Sequence, residues 1–118
     1  TRIRRADRRV AVPVFDRPLD LARAGGRIIT LEHRLIIVEG NYLLLDQGDW
    51  PALRPLYDLT LFLDVPDEVL EARLVQRWLG MGQDQAGALE RTHNKDLLNA
   101  RLIKAASVPA DVNWAATV

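Results

Sequence analysis

The sequence contains no cysteine, which excludes disulfides, thiol nucleophiles and thiolate metal sites. Histidine is almost as scarce: His33 and His93 stand far apart and do not make a zinc site. No apolar run approaches the roughly 18 residues of a membrane-spanning segment, so no transmembrane helix is expected. No charged segment followed by an apolar stretch opens the chain, so no signal peptide is expected, and a cytoplasmic address is the simplest one. An excess of charge is also missing, since 16 basic residues balance 16 acidic ones. That balance makes a nucleic-acid partner a poor expectation, although a local basic patch stays open. The chain starts at Thr1 rather than at a methionine, and a truncated or processed front is the expectation.

What is present suits a globular fold. With 48% hydrophobic and 27% charged residues, 118 residues can form one domain with a modest core. The stretch Leu35-Ile36-Ile37-Val38-Glu39-Gly40-Asn41 is the strongest organising signal. Four aliphatic residues without polar alternation predict a strand buried on both faces, as in a parallel sheet. Gly40 frees the backbone to turn. Glu39 is then expected at the carboxyl end of that strand, the edge where ligands bind in open α/β sheets.

Elsewhere the chain reads as follows. Arg2, Arg4, Arg5, Arg8 and Arg9 crowd the first nine residues. They suggest the solvated end of a surface helix, or else a basic arm for phosphates. Val10 to Phe15, broken by Pro13, predicts an edge strand. Leu19 to Ala24 is expected to form a short helix stopped by Gly25 and Gly26, and Arg27 to Leu31 a short strand. Trp50 to Tyr57 predicts a helix with Asp49 at its N-cap and Pro51 in its first turn. Leu59 to Leu63 predicts a second buried strand, joined to the first by a right-handed crossover. Pro66 opens a helix with Asp67 and Glu68 in its first turn and a core stripe of Leu70, Leu74 and Trp78, ended by Gly80 and Gly82. Asp84 to Lys95 predicts another helix and Ala100 to Ala105 a third strand. The last residues are expected to fray.

Chemistry is expected at two places. Arg73 and Arg77 lie four residues apart, on one helical face, where like charges repel by roughly 0.2–0.5 kcal/mol. Neither has a carboxylate three or four residues away, and guanidinium forks suit phosphate. Glu39 offers hard oxygens to Mg²⁺, directly or through water, or could orient a hydroxyl. Asp16 could do the same from its own segment. A carboxylate, an arginine pair and a glycine-flanked helix together suit phosphoryl transfer. The phosphate-cradling loop G-x-x-x-x-G-K-[ST] is absent from the chain: Gly25-Gly26 is followed by Arg27-Ile28-Ile29 and lacks the lysine.

Five segments taken in order carry a resemblance. They are Val12-Pro13-Val14-Phe15-Asp16, Leu35 to Tyr42, Tyr57 to Pro66, the arginine helix, and Asn99-Ala100-Arg101-Leu102-Ile103. Over residues 10–112 the chain resembles the uridine kinase-like family of P-loop kinases, and most of all its branch with pantothenate kinase-like and fructose-transport-system kinase-like members. The resemblance implies a partial P-loop three-layer α/β sandwich with a mainly parallel sheet, of which this chain is the carboxyl-terminal part. It implies ATP and Mg²⁺ as cofactors and a small hydroxyl compound as acceptor (a sugar, nucleoside or pantothenate-like molecule). It makes Glu39 the metal- and acceptor-side glutamate, and Arg73 and Arg77 the lid arginines. Asp16 and Arg17, Asn41 and Tyr42, and Asn99 become acceptor-side candidates. Phe15 replaces the family's tyrosine and Asp20 stands where its histidine would be, which argues against pyrimidine nucleosides. Without a phosphate loop the chain alone is not expected to be a competent kinase. Alternatives left open are a non-catalytic or regulatory module that has lost the loop, a basic interaction segment at Thr1 to Arg9, and a homodimer.

Overall fold

The computed structural model describes residues 2–5 and 7–115. Thr1, Ala6 and residues 116–118 lie outside them; of the end expected to fray, residues 112–115 form a strand instead. Contacts divide the chain into two units, residues 1–38 and 39–118, taken separately below.

In the first unit a short helix, α1 (Arg2–Arg5), precedes two antiparallel strands, β1 (Val10–Asp16) and β2 (Leu21–Ile29). The basic segment is thus a surface helix in part, with Arg2, Arg4 and Arg5 in its last turn. Asp16 closes the hairpin by accepting from the Leu19 amide at 3.2 Å, and Asp20 takes a positive φ of 49°. The helix expected from Leu19 to Ala24 is therefore corrected to a strand. Its two glycines do different work from a helix stop. Pro13 cannot donate to a ladder, and the register shifts between Val12 and Val14. Gly25 turns with φ 64°, and a Cβ on Gly26 would collide with the Val14 side chain. Pairing to β1 overrides the local helical preference.

The organising stretch is also corrected. Residues 35–38 belong to no strand, and Leu35, Ile37 and Val38 are 79%, 83% and 56% exposed. A strand of a parallel sheet needs neighbours for its backbone groups, and among the described residues none pairs with this one.

In the second unit a 3₁₀ turn over Trp50–Leu56 leads to β3 (Leu61–Asp64). Asp49 precedes the turn without a side-chain capping bond. The parallel partner of β3 is not the 35–38 stretch but β4 (Val112–Ala115), which no earlier signal marked as a strand. Between them run α2 (Asp67–Gly80), α3 (Gln85–Arg91), a π-helical turn (Thr92–Asp96) and α4 (Leu97–Ala106). The architecture is α/β with parallel pairing, as expected, though the sheet is small. α4 replaces the strand expected at Ala100 to Ala105. Leu, Ala, Arg and Lys are strong helix formers, and a short apolar run does not by itself separate strand from helix.

The ends of α2 follow the sequence. Met81 and Gly82 donate back to the Arg77 and Leu79 carbonyls, and Gly82 has φ 88°. Asp84 caps α3 through a 2.8 Å bond from the Gly87 amide. Leu45, Val75, Ala88 and Leu97 are buried apolar residues of this unit, and Leu70, Leu74 and Trp78 are half-buried. The Asp46 amide donates to the Ala106 carbonyl, and the Val108 amide to the Leu44 carbonyl, both at 2.8 Å, which fixes the 41–46 loop to the end of α4.

Candidate functional site

The arginine pair sits where its spacing put it, on the solvent side of α2. Among the described residues neither Arg73 nor Arg77 pairs with a carboxylate. Other cations do: Arg23 with Asp16, Arg54 with Asp111, Arg101 and Lys104 with Asp67. Arg77 instead stacks 5.6 Å from the Trp78 ring centre, and Arg91 lies 5.0 Å from the same ring. The indole of Trp78 donates to Asp96 at 2.7 Å, which fixes the orientation of a ring that both guanidiniums approach. Two turns earlier on α2, Glu71 meets His93 at 2.7 Å, a second tie between α2 and the π-helical turn. Arg91, Asp96 and Glu71 were not singled out in the sequence, and His93 was considered only as a zinc ligand and set aside. Their partners stand on another helix, and local spacing carries no sign of them.

At the other end of α2, Lys104 reaches back from α4. Its ammonium donates to the Val65 carbonyl and the Asp67 carboxylate, both at 2.6 Å, and lies 3.9 Å from Asp64. The hydrogen bond and charge of Lys104, with a smaller contribution from Arg101, hold the Asp67 carboxyl below its usual range. This knot neutralises Asp64 at the end of β3 and Asp67 just after it.

Glu39 is exposed and makes no hydrogen bond or ion pair among the described residues. It does not end a paired strand, and nothing joins it to Arg73 or Arg77. Asn41 is exposed, and Tyr42 packs its ring 5.8 Å from Trp50. Asn99 is half-buried in the first turn of α4. In the first unit Asp16 holds the hairpin turn and meets Arg23 at 3.3 Å, while the Arg17 guanidinium lies 5.6 Å from the Phe15 ring centre. Within the second unit, Glu39, Asn41, Tyr42, Arg73, Arg77 and Asn99 share no hydrogen bond with one another among the described residues. No three His, Asp or Glu side chains converge on a metal-sized point among the described residues. A single free carboxylate still matches how Mg²⁺ is held when it arrives on a nucleotide, through one or two carboxylates, phosphates and water.

A small cavity of about 180 Å³ lies among Leu43, Leu44, Leu45, Trp50, Pro51 and Val108, with Arg54 at its side. It is apolar and smaller than a typical ligand pocket of about 300–1,000 Å³. Arg54 is already committed to Thr60 at 2.6 Å and Asp111 at 3.4 Å.

No protein-family model matches the chain. Individual proteins do. A candidate uridine kinase of Schizosaccharomyces pombe is 32% identical over 108 residues, covering 90% of this chain and 46% of that protein. An ATP-dependent kinase, YFH7 of Lachancea thermotolerans, is 33% identical over 109 residues, 86% of this chain and 31% of its own length. The crystal structure of a candidate fructose transport system kinase from Silicibacter superposes with a TM-score of 0.88 at 46% identity, over 96% of this chain and 56% of that one. YFH7 of Saccharomyces cerevisiae, described as a candidate P-loop kinase with a circular permutation, gives 0.78 at 29% identity, over 93% and 36%. The chain therefore spans about half, or less, of the length of these relatives.

Proposed function

We propose, from the premise that this chain is homologous to part of the uridine kinase-like P-loop kinases, that it serves ATP-dependent phosphoryl transfer to a hydroxyl of a small molecule. In that reaction the bond from the γ-phosphorus to the β,γ-bridging oxygen breaks. A new bond forms from phosphorus to the acceptor oxygen, the hydroxyl proton leaves, and ADP and a phosphate monoester result. Catalysis of such a step is mainly positioning and charge neutralisation.

The observation that carries the reading is the pair of exposed guanidiniums on α2, which among the described residues have no carboxylate partner, whereas Arg101 and Lys104 at the other end of the helix pair with Asp67. In the proposed role Arg73 and Arg77 spread the charge of the transferring phosphoryl group. Glu39 holds the nucleotide's Mg²⁺ through water, or orients the acceptor hydroxyl. Mg²⁺, when bound, would neutralise phosphate charge as it develops during transfer. Asp16, Arg17, Asn41, Tyr42 and Asn99 are the acceptor-side candidates, and the acceptor is a sugar, nucleoside or pantothenate-like molecule. Gly82, at φ 88°, gives the end of the arginine helix a pivot.

The test is ATP turnover by the polypeptide carrying both this chain and a phosphate loop, screened against small hydroxyl compounds. Arg77→Ala is expected to lower kcat by about 10³-fold, the low end for a transition-state arginine. Unchanged turnover in that variant refutes the role. A second reading is a non-catalytic or regulatory module. It is distinguished by nucleotide binding without transfer to any acceptor.

A further inference from the structure

Three elements meet on one side chain. Trp78 belongs to α2, Arg91 closes α3 and Asp96 closes the π-helical turn. The guanidinium centres of Arg77 and Arg91 lie 5.6 Å and 5.0 Å from the Trp78 ring centre, within the reach of cation–π attraction. Among the described residues neither arginine makes an ion pair, so the Asp96 carboxylate does not hold them directly. It accepts the indole N–H at 2.7 Å instead. A bond to an anionic acceptor is stronger than one to a neutral acceptor, and it polarises its donor. The ring therefore keeps its angle and its attraction for cations. Between α2 and α3 the backbone turns at Gly82 with φ 88°, a joint that does not by itself fix Arg91 relative to Arg77. The ring supplies that constraint. Two like charges drawn to one ring repel each other, and an anion that contacts both relieves the repulsion.

We infer that Asp96 is a positioning residue for phosphoryl transfer: through the Trp78 indole it sets the Arg77 and Arg91 guanidiniums as one unit for a nucleotide's phosphates. The inference rests on the proposed function for the anion and on the ring geometry for the residues. It adds Arg91 to the phosphate-side arginines, and it gives Asp96 a task that needs no contact with substrate.

The test measures ATP turnover by the polypeptide carrying both this chain and a phosphate loop, with the helical circular dichroism of each variant matched to the parent's. Asp96→Ala is expected to lower kcat and kcat/KM for ATP together by roughly tenfold, as misplaced transition-state contacts do. Asp96→Asn keeps an oxygen for the indole proton and is expected to recover most of that loss. Trp78→Phe keeps a ring face but has no N–H to donate; it is expected to lose a similar factor, and it stands in if the alanine variant does not fold. In a background of Arg77→Ala with Arg91→Ala, Asp96→Ala is expected to cost nothing more, because no guanidinium is left for the ring to hold. The bond is also read apart from turnover: the indole N–H resonance of Trp78, identified with Trp78→Phe, should exchange faster with water in Asp96→Ala. A parent-like kcat in Asp96→Ala overturns the inference, as does a loss that Asp96→Asn does not recover. A loss that persists undiminished without the two arginines marks a purely structural bond and overturns it too, and so does unchanged exchange of the Trp78 resonance. A parent that phosphorylates no acceptor refutes the proposed function and this inference with it. An active parent with any of the other adverse results refutes the positioning role alone.

Discussion

Replacing Thr60 by valine removes one oxygen and leaves the side chain's shape nearly intact. Thr60 is buried, at 7% exposure. Its hydroxyl donates to Asp111 Oδ2 at 2.7 Å and accepts from Arg54 Nη1 at 2.6 Å and from the Asp111 amide at 3.0 Å. Beside these bonds the Thr60 amide donates to Asp111 at 2.8 Å, and the Val112 amide donates to the Thr60 carbonyl at 3.0 Å. The hydroxyl thus fastens the turn that leads into β4 against the residue just before β3. A neutral hydrogen bond contributes about 1 kcal/mol net and one to a charged group somewhat more. The Arg54 and Asp111 side chains are 39% and 44% exposed. Water replaces much of what they lose, so Thr60→Val is expected to destabilise the fold by about 2 kcal/mol in total. With a urea slope of about 1 kcal/mol/M for a small fold, the unfolding midpoint drops by about 2 M. Urea titration followed by circular dichroism measures this. A midpoint within about 0.5 M of the parent's refutes the claim that this hydroxyl joins the two strands. In the double variant with Asp111→Ala the two losses are expected to be sub-additive, because both remove the same network.

Two further outcomes follow from the same geometry. Asp84→Ala removes the bond to the Gly87 amide at the start of α3 and is expected to cost about 1 kcal/mol, read as a lower thermal midpoint. Acid should weaken the fold through Asp67 and Asp111. Hydrogen bonding and charge from Lys104 hold the first carboxyl below its ordinary value of 3.8, and hydrogen bonds from the Thr60 side chain and backbone, with the Arg54 charge, do so for the second. The unfolded chain then takes up these protons at higher pH than the folded one. The stabilisation is complete above pH 3.8 and is lost as pH falls below it through the lower folded values. Urea midpoints at pH 6 and pH 3 should therefore diverge, and Asp67→Asn or Asp111→Asn should narrow the gap. A gap unchanged in both variants contradicts the assignment.

The helix from Asp67 to Gly80 was legible because every signal for it is local. Its acidic first turn, the repeat of Leu70, Leu74 and Trp78, and the glycines at its end lie within sixteen residues of one another. The start of a helix at Asp84 was legible for the same reason, although its capping bond was not read. Non-local pairing was not. β4 owes its strand state to β3, and the Thr60–Asp111 bonds that bring them together span 51 residues. Lys104 meets Asp67 across 37. The stretch Leu35 to Val38 was read from composition alone, and composition gives an appetite for burial without supplying a neighbour. At the candidate site the pattern located Arg73 and Arg77 on one helix face. It did not reveal that Trp78, read as a core residue, would be gripped by Arg77, Arg91 and Asp96.

The π-helical turn over Thr92–Asp96 has a mechanical corollary. Such a turn holds one residue more than an α-helical turn, and each residue advances the helix by about 100°. Deleting a single residue there would swing everything after it about a quarter-turn around the axis. Asp96 would leave the indole of Trp78, and Lys104 would leave Asp67, in one stroke. The extra residue acts as a phase setting that lets one continuous rod of helix address both ends of α2.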